Sequence, residues 1–188
     1  MRLEDIYYER IKKIVVALFQ KYNIHSIPID CYEICTKMDI ILKSYTTVNK
    51  KRNIHATAFS EDGFCFLVSN TVKPSTDQQW CILYNDTRPK ERIRFTIMHE
   101  IGHIVLNHTE DSELADSEAN FFAKYALAPP PLVNRIKPDD YLDIATHFNI
   151  SQECAYYAMD FYNKWLRYGN LKYHDYELSL LSLFKDAE

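Results

Sequence analysis

Residues 95–108 read FTIMHEIGHIVLNH, and they set His99, Glu100 and His103 inside a run otherwise dominated by Phe, Ile, Met, Val and Leu. Residues four apart on an α-helix lie one turn above each other on one face, so the two imidazoles can turn toward a single ion. Glu100 projects about 100° round the helix from His99, outside that grip yet within reach of a water on the ion. His-Glu-x-x-His on a helix is the arrangement of a zinc hydrolase. The bland alternative, a core histidine plus a surface ion pair, needs a solvated helix face. Ile97, Met98, Ile101, Ile104, Val105 and Leu106 make this helix apolar nearly all round, and burial without partners is costly for three polar groups.

A catalytic zinc site takes three protein ligands and keeps one position open, so the motif calls for a third ligand elsewhere. The extended form with Gly at 106 and His at 109 is excluded by Leu106 and Thr109. Downstream candidates are His108, Glu110, Asp111, Glu113, Asp116 and Glu118. Residues 112–127 read as a helix whose apolar face carries Leu114, Ala115, Phe121, Phe122, Tyr125 and Ala126. Glu118 falls in that face, four from Leu114 and four from Phe122, while Glu113, Asp116, Asn120 and Lys124 lie on the other side. A carboxylate within a core face must be coordinated or paired, which nominates Glu118 as the third metal ligand. The competing reading is a buried Glu hydrogen-bonded to a neighbour. His108, at the helix end, reads as a favourable C-terminal charge rather than a ligand. Gly102 costs about 1 kcal/mol relative to Ala inside a helix, which predicts close approach of another backbone, with the sheet as candidate.

Outward from this motif the periodicity predicts an amphipathic helix over 3–22 and a short one after SIPID, capped by Asp30 with Ile34 and Met38 on its buried side. IHATAF (54–59), FCFLVS (64–69) and WCILYN (80–85) read as strands, and SEDG between the first two as a hairpin turn. The metal helix spans about 92–107. PPP at 129–131 stops the helix that follows it, and further helices are expected at 139–148, 151–167, ending at Gly169, and 175–185. The fold class is α+β: a small, largely antiparallel three-stranded sheet packed on the H-E-x-x-H helix, zincin-like, with helices before and after. The chain divides as N-terminal helices (1–50), sheet and zinc-binding helices (51–129) and a C-terminal helical segment (130–188) of a single domain.

With 188 residues, 47% hydrophobic and 26% charged, the chain can bury one sizeable core. A net charge of −4 provides no electrostatic footprint for nucleic acid or anionic membrane. The acidic start MRLEDIYYERIKK is unlike a signal peptide, and no run approaches the roughly 20 apolar residues of a membrane span, so a cytoplasmic protein is expected. Five cysteines without a C-x-x-C pair fit reduced core thiols; Cys31 and Cys35, one turn apart, read as core in preference to a metal pair.

RFTIMHEIGHIVLNH followed by SEANFFAKYALAP resembles the ImmA/IrrE family of zinc-dependent endopeptidases, which pair an H-E-x-G-H helix with an E-A-N-x-F-A segment running into a Leu/Met-Pro stop. The resemblance spans roughly 25–165, taking in IPIDCYEICTKMDI and IATHFNISQECAYYAM, and is densest over 95–129. Three prolines stand where one is usual, and Phe121 precedes Phe122 where a polar residue is common. The resemblance implies zinc on His99, His103 and Glu118, Glu100 as general base, and a helix-turn-helix repressor as the protein partner that is cleaved, relieving repression of a mobile element, phage or stress genes. A zinc-bound regulator that docks a repressor without cutting it is the alternative.

An edge strand, 80–85 or 64–69, is expected to hold an extended peptide by main-chain hydrogen bonds. The oxyanion stabiliser is not identified; Tyr125, Tyr156, Tyr157 and His147 are candidates. A DNA-binding rival rests on the helix-turn-helix rhythm of YLDIATHFNISQECAYYAMDFYN. Its would-be recognition helix, 151–163, has no Lys or Arg but carries Glu153 and Asp160, a poor reader of phosphates.

Overall fold

The computed structural model describes residues 3–52, 55–69, 78–169 and 172–187. Helix α1 (Asp5–Tyr22) buries Ile11, Val15, Val16, Leu18 and Phe19, the stripe that its periodicity predicts. Helix α2 (Cys31–Lys37) starts at Asp30, whose carboxylate accepts from the N–H groups of Tyr32 and Glu33, and buries Cys31, Ile34 and Cys35.

Strand β1 (Ile41–Ser44) leads directly into helix α3 (Tyr45–Arg52). Strands β2 (Gly63–Ser69) and β3 (Gln78–Tyr84) follow, and the sheet runs β1-β3-β2, with β1 parallel and β2 antiparallel to the central β3. The sheet is therefore mixed, and its third strand is Ile41–Ser44 rather than the expected 54–59. In that expected strand Asn53, before it, and Ile54 lie outside the described residues, and Ala56–Ala58 forms a single 3₁₀ turn. Polar contacts tie this turn to α3 in place of a ladder: Ala56 N–H donates to Asn49 Oδ1 at 3.2 Å, and the Tyr45 hydroxyl donates to the Ser60 carbonyl at 2.9 Å. SEDG accordingly leads from that turn into β2 instead of closing a hairpin. Strand β3 is covered on both faces, with Ile82 in the main core and Cys81 and Leu83 packed with Tyr45 and Ala56 on the other side, which explains its unbroken apolar run.

Helix α4 (Lys90–Val105) lies against the sheet and buries Ile93, Ile97, Met98 and Ile101. Helix α5 (Glu113–Leu127), capped by the Ser112 hydroxyl on the N–H of Ala115, crosses α4 at Gly102. A Cβ there would meet the Phe122 ring at 3.1 Å and Ala119 Cα at 3.3 Å, so the close approach that Gly102 serves is to α5 and not to the sheet. Pro129–Pro131 both end α5 and begin α6 (Pro130–Ile136), since proline suits the first helical turn, where its missing N–H costs nothing. Helices α7 (Tyr141–Phe148), α8 (Gln152–Tyr168) and α9 (Asp175–Leu183) complete the chain, and one cluster of buried side chains runs from Leu3 to Phe184. No helix among the described residues is long and apolar enough to cross a membrane.

Candidate metal centre

One turn of α4 brings His99 Nε2 and His103 Nε2 to 3.0 Å from each other. Burial pushes both imidazoles below the ordinary histidine range; His103, with His99 and His108 also against its charged form, falls to about 4. Both rings are therefore neutral near pH 7, each with a lone pair for a metal.

The group that joins them is Asp116. Its Oδ1 lies 3.4 Å from His99 Nε2, and the ligand atoms of His99, His103 and Asp116 all fall within 4.8 Å of one another. Tetrahedral zinc with bonds of about 2.0–2.1 Å spaces its ligand atoms about 3.3 Å apart, so two nitrogens and a carboxylate oxygen in this arrangement suit the ion in both chemistry and size. Asn120 steadies the pair, donating from Nδ2 to Asp116 Oδ2 at 2.9 Å and hydrogen-bonding His99. The side of α5 that the apolar pattern assigned to solvent, Asp116 and Asn120, thus faces His99 on α4.

Glu118 is buried, as its place among apolar residues required, but it is engaged elsewhere. One carboxylate oxygen pairs with Arg10 of α1, and the other lies 3.0 Å from His108 Nε2. His108 Nδ1 in turn lies 3.0 Å from His103 Nδ1, so His108 is a partly buried partner of the histidine pair rather than an exposed charge at the helix end.

Glu100 is also buried, and burial pushes its carboxyl up to about 7; hydrogen bonds from the Cys65 thiol and backbone N–H pull the other way. The same residue feels the charges of Asp116 and Asp111, which locates it beside the site. Cys65 belongs to β2, an outer strand of the sheet. Because Asn85 N–H donates to the Asp62 carbonyl and the register pairs Gly63 with Tyr84, the N–H and C=O groups of Gly63, Cys65 and Leu67 point away from β3. The edge that meets Glu100 is therefore the edge of β2 that no strand among the described residues pairs with. The strand at 80–85 is central and paired on both sides, which removes it as a peptide-binding edge. Among the oxyanion candidates, Tyr125 is buried beside Phe121 and Phe161, Tyr156 and Tyr157 are exposed on α8, and His147 packs on Phe148.

Asp116, Asn120, His108, Cys65 and Arg10 are the site residues that spacing alone did not single out. The signal for Asp116 and Asn120 was their four-residue interval, which repeats that of His99 and His103 on the neighbouring helix. Arg10 had none, being 108 residues from its partner.

A family model described as Peptidase_M78, the IrrE N-terminal-like domain, matches residues 49–160, more than half of the chain. Searches of curated proteins and of solved structures gave no match. The matched span contains β2, β3, α4 and α5, the elements that carry His99, Glu100, His103 and both acidic candidates. A convergent pair of neutral histidines, a carboxylate beside them and a buried glutamate at a sheet edge thus agree with the family match, and the chain belongs to the ImmA/IrrE family of metallopeptidases.

Proposed function

We propose that the chain is a zinc-dependent endopeptidase whose substrate is a helix-turn-helix repressor. The observation that carries the reading is the convergence of His99, His103 and an α5 carboxylate, with Glu100 buried next to them at the outer edge of β2. Of the two carboxylates, Asp116 is favoured by its closeness to His99, whereas Glu118 would have to leave Arg10 and His108 to join the ion.

Zinc, when bound, supplies a Lewis acid that lowers the pKa of a water from about 15.7 toward 7 and polarises the scissile carbonyl. Glu100 accepts the proton of the attacking water and returns it to the leaving amine. A carboxyl raised to about 7 is matched to both transfers near neutral pH. Cys65 holds that carboxylate from the strand, so an extended peptide added along β2 would run past the base. The outward N–H and C=O of Leu67 are the next pair along this edge.

The repressor as substrate rests on the family resemblance. Co-expression of the chain, or its Glu100→Gln form, with a helix-turn-helix repressor encoded beside it tests this, repressor length being followed by mass spectrometry under inducing stress. A discrete clip seen with the wild type alone supports the endopeptidase. Equal derepression by both forms, with the repressor intact, assigns the chain to non-proteolytic regulation.

A further inference from the structure

A cavity of about 1160 Å³ lies among α1, α5, α8 and α9, and none of the residues of the metal centre lines it. Its walls are aromatic. Phe121 of α5 and Phe161 of α8 meet edge to face at 5.6 Å, Tyr125 sets its ring against Phe161 at 6.4 Å, and Trp165 stacks on Tyr173. Two carboxylates line the same space, Glu9 of α1 and Glu177 of α9. The geometry points to a binding site for a small organic amine, its ammonium seated between Glu177 and the Tyr125 hydroxyl and its apolar body against the aromatic walls. Of these residues, Phe121 and Tyr125 alone fall within the span 49–160 that the family model matches, so the cavity is built largely from helices outside it.

Charge decides the class of ligand. Glu9 is paired with Lys12 and accepts from the Tyr176 hydroxyl at 3.3 Å, so its charge is met inside the protein. Glu177 is buried yet accepts only from neutral donors, the Trp165 indole N–H at 2.7 Å and the His174 backbone N–H at 2.9 Å. Among the described residues no cation lies within ion-pairing distance of it. A buried carboxylate without a cation is uncommon, and here the N-terminal turn of α9 supports the negative charge. Of the other lysines along the walls, Lys164 pairs with Asp160, Lys124 lies over the Tyr157 ring at 4.1 Å, and Lys172 is exposed. Glu177 is therefore the charge left for a ligand to meet. The Tyr125 hydroxyl is buried with no hydrogen-bond partner among the described residues, and it feels Tyr176, Glu177 and Glu9, all of which line the cavity. A buried hydroxyl left unpaired is costly, and its oxygen can accept an ammonium N–H. Lys12 already shows what these walls attract, since its ammonium lies 5.6 Å from the centre of the Phe161 ring. A ligand cation beside the same rings gains the same attraction. The volume is slightly above the roughly 300–1,000 Å³ usual for small-molecule sites, so a bicyclic ring system fits.

Three probes built on one ring system separate charge from apolar fit: 2-naphthylmethylamine, 2-naphthylmethanol and 2-naphthoate, each titrated calorimetrically into the full chain near neutral pH. The amine should bind about tenfold or more tighter than the alcohol, because its N–H groups meet an ionised acceptor, and 2-naphthoate should bind most weakly. Glu177→Gln should cost the amine about tenfold and leave the alcohol unchanged. Tyr125→Phe should weaken the amine about three- to tenfold, the loss of one hydrogen bond. That variant should melt no lower than the wild type, because the hydroxyl it removes has no partner to lose. Should Glu177→Gln melt lower through its weakened helix start, Tyr125→Phe decides the question. The amine should also raise the melting temperature of the wild type at concentrations above its Kd. No binding of any probe up to millimolar concentration would overturn the proposal, as would equal affinity for the amine and the alcohol. Tightest binding of 2-naphthoate, lost in Lys124→Met, would overturn it in favour of an anion site. Amine binding unchanged in both Glu177→Gln and Tyr125→Phe would place the probe elsewhere on the chain and overturn it as well.

Discussion

His99 and His103 hold their Nε2 atoms 3.0 Å apart, and Asp116 Oδ1 completes the group from the neighbouring helix at 3.4 Å from His99. Two neutral imidazoles and one carboxylate would make a ligand set of net charge −1, which suits a divalent ion. Protein purified without chelator or histidine tag should carry about one zinc per chain by element analysis. His103→Ala and Asp116→Ala should each lose it. Full zinc content in Asp116→Ala would take that residue out of the ligand set.

Glu100 is held by Cys65 of β2, and its proposed role is proton transfer rather than holding the ion. Glu100→Gln should retain zinc and fold while cleavage falls by about 10²–10⁴-fold, the usual contribution of a general base. Zinc loss equal to that of His99→Ala would make it a ligand instead.

Leu67 turns its N–H to the outer edge of β2, whereas Phe66, paired with Cys81, belongs to the ladder with β3. Proline is tolerated in a sheet only where the missing N–H faces outward. Leu67→Pro should therefore melt close to the wild type yet cleave the proposed repressor substrate with a lower kcat/KM, and Phe66→Pro should lose stability outright. Normal cleavage by a folded Leu67→Pro variant would remove the β2 edge as the substrate platform.

Gly102 leaves no room for a branched side chain between α4 and α5, because the Phe122 ring and Ala119 backbone are fully buried. Gly102→Val should cost about 1–3 kcal/mol in urea unfolding, the range for overpacking a core. A neutral or stabilising result would mean that the two helices can separate.

Asp62 is held below the usual carboxylate range by a hydrogen bond from Arg92 first, against some desolvation, with the charges of Arg92 and Arg88 adding to the effect. Its folded-state pKa lies below the unfolded value of about 3.9, so its contribution is present above that pH and disappears as pH falls through the folded value. Asp62→Asn should lower stability near pH 7 and narrow the gap between variant and wild type at about pH 3. An equal gap at both pH values would show that the ion pairs with Arg88 and Arg92 do not stabilise the fold.

Much of the helical architecture was legible because each signal is local. The apolar stripe of α1, the Asp30 and Ser112 caps and the three prolines after α5 act within a turn or two of themselves. The sheet was legible only in part. FCFLVS and WCILYN became β2 and β3, but Ile41–Ser44 pairs parallel with β3 across 33 intervening residues, a partnership that no turn signal announces. IHATAF has strand-like composition, yet its Ala56 N–H finds Asn49, and the Ser60 carbonyl just after it finds Tyr45, instead of a ladder.

The amino-acid sequence by itself determined the His99-Glu100-x-x-His103 geometry, since helix pitch alone puts both imidazoles on one face, and it determined that Glu118 must be buried and partnered. What the partner is, only the tertiary structure decided. The apolar pattern of α5 reports which side meets the core, but the crossing of α4 and α5 at Gly102 sets which side meets the histidines, and that side carries Asp116 and Asn120. Glu118 instead meets Arg10, because α1 packs on α5 and delivers a cation from the other end of the chain. Contacts across such sequence distances follow from how helices dock, which no local spacing encodes.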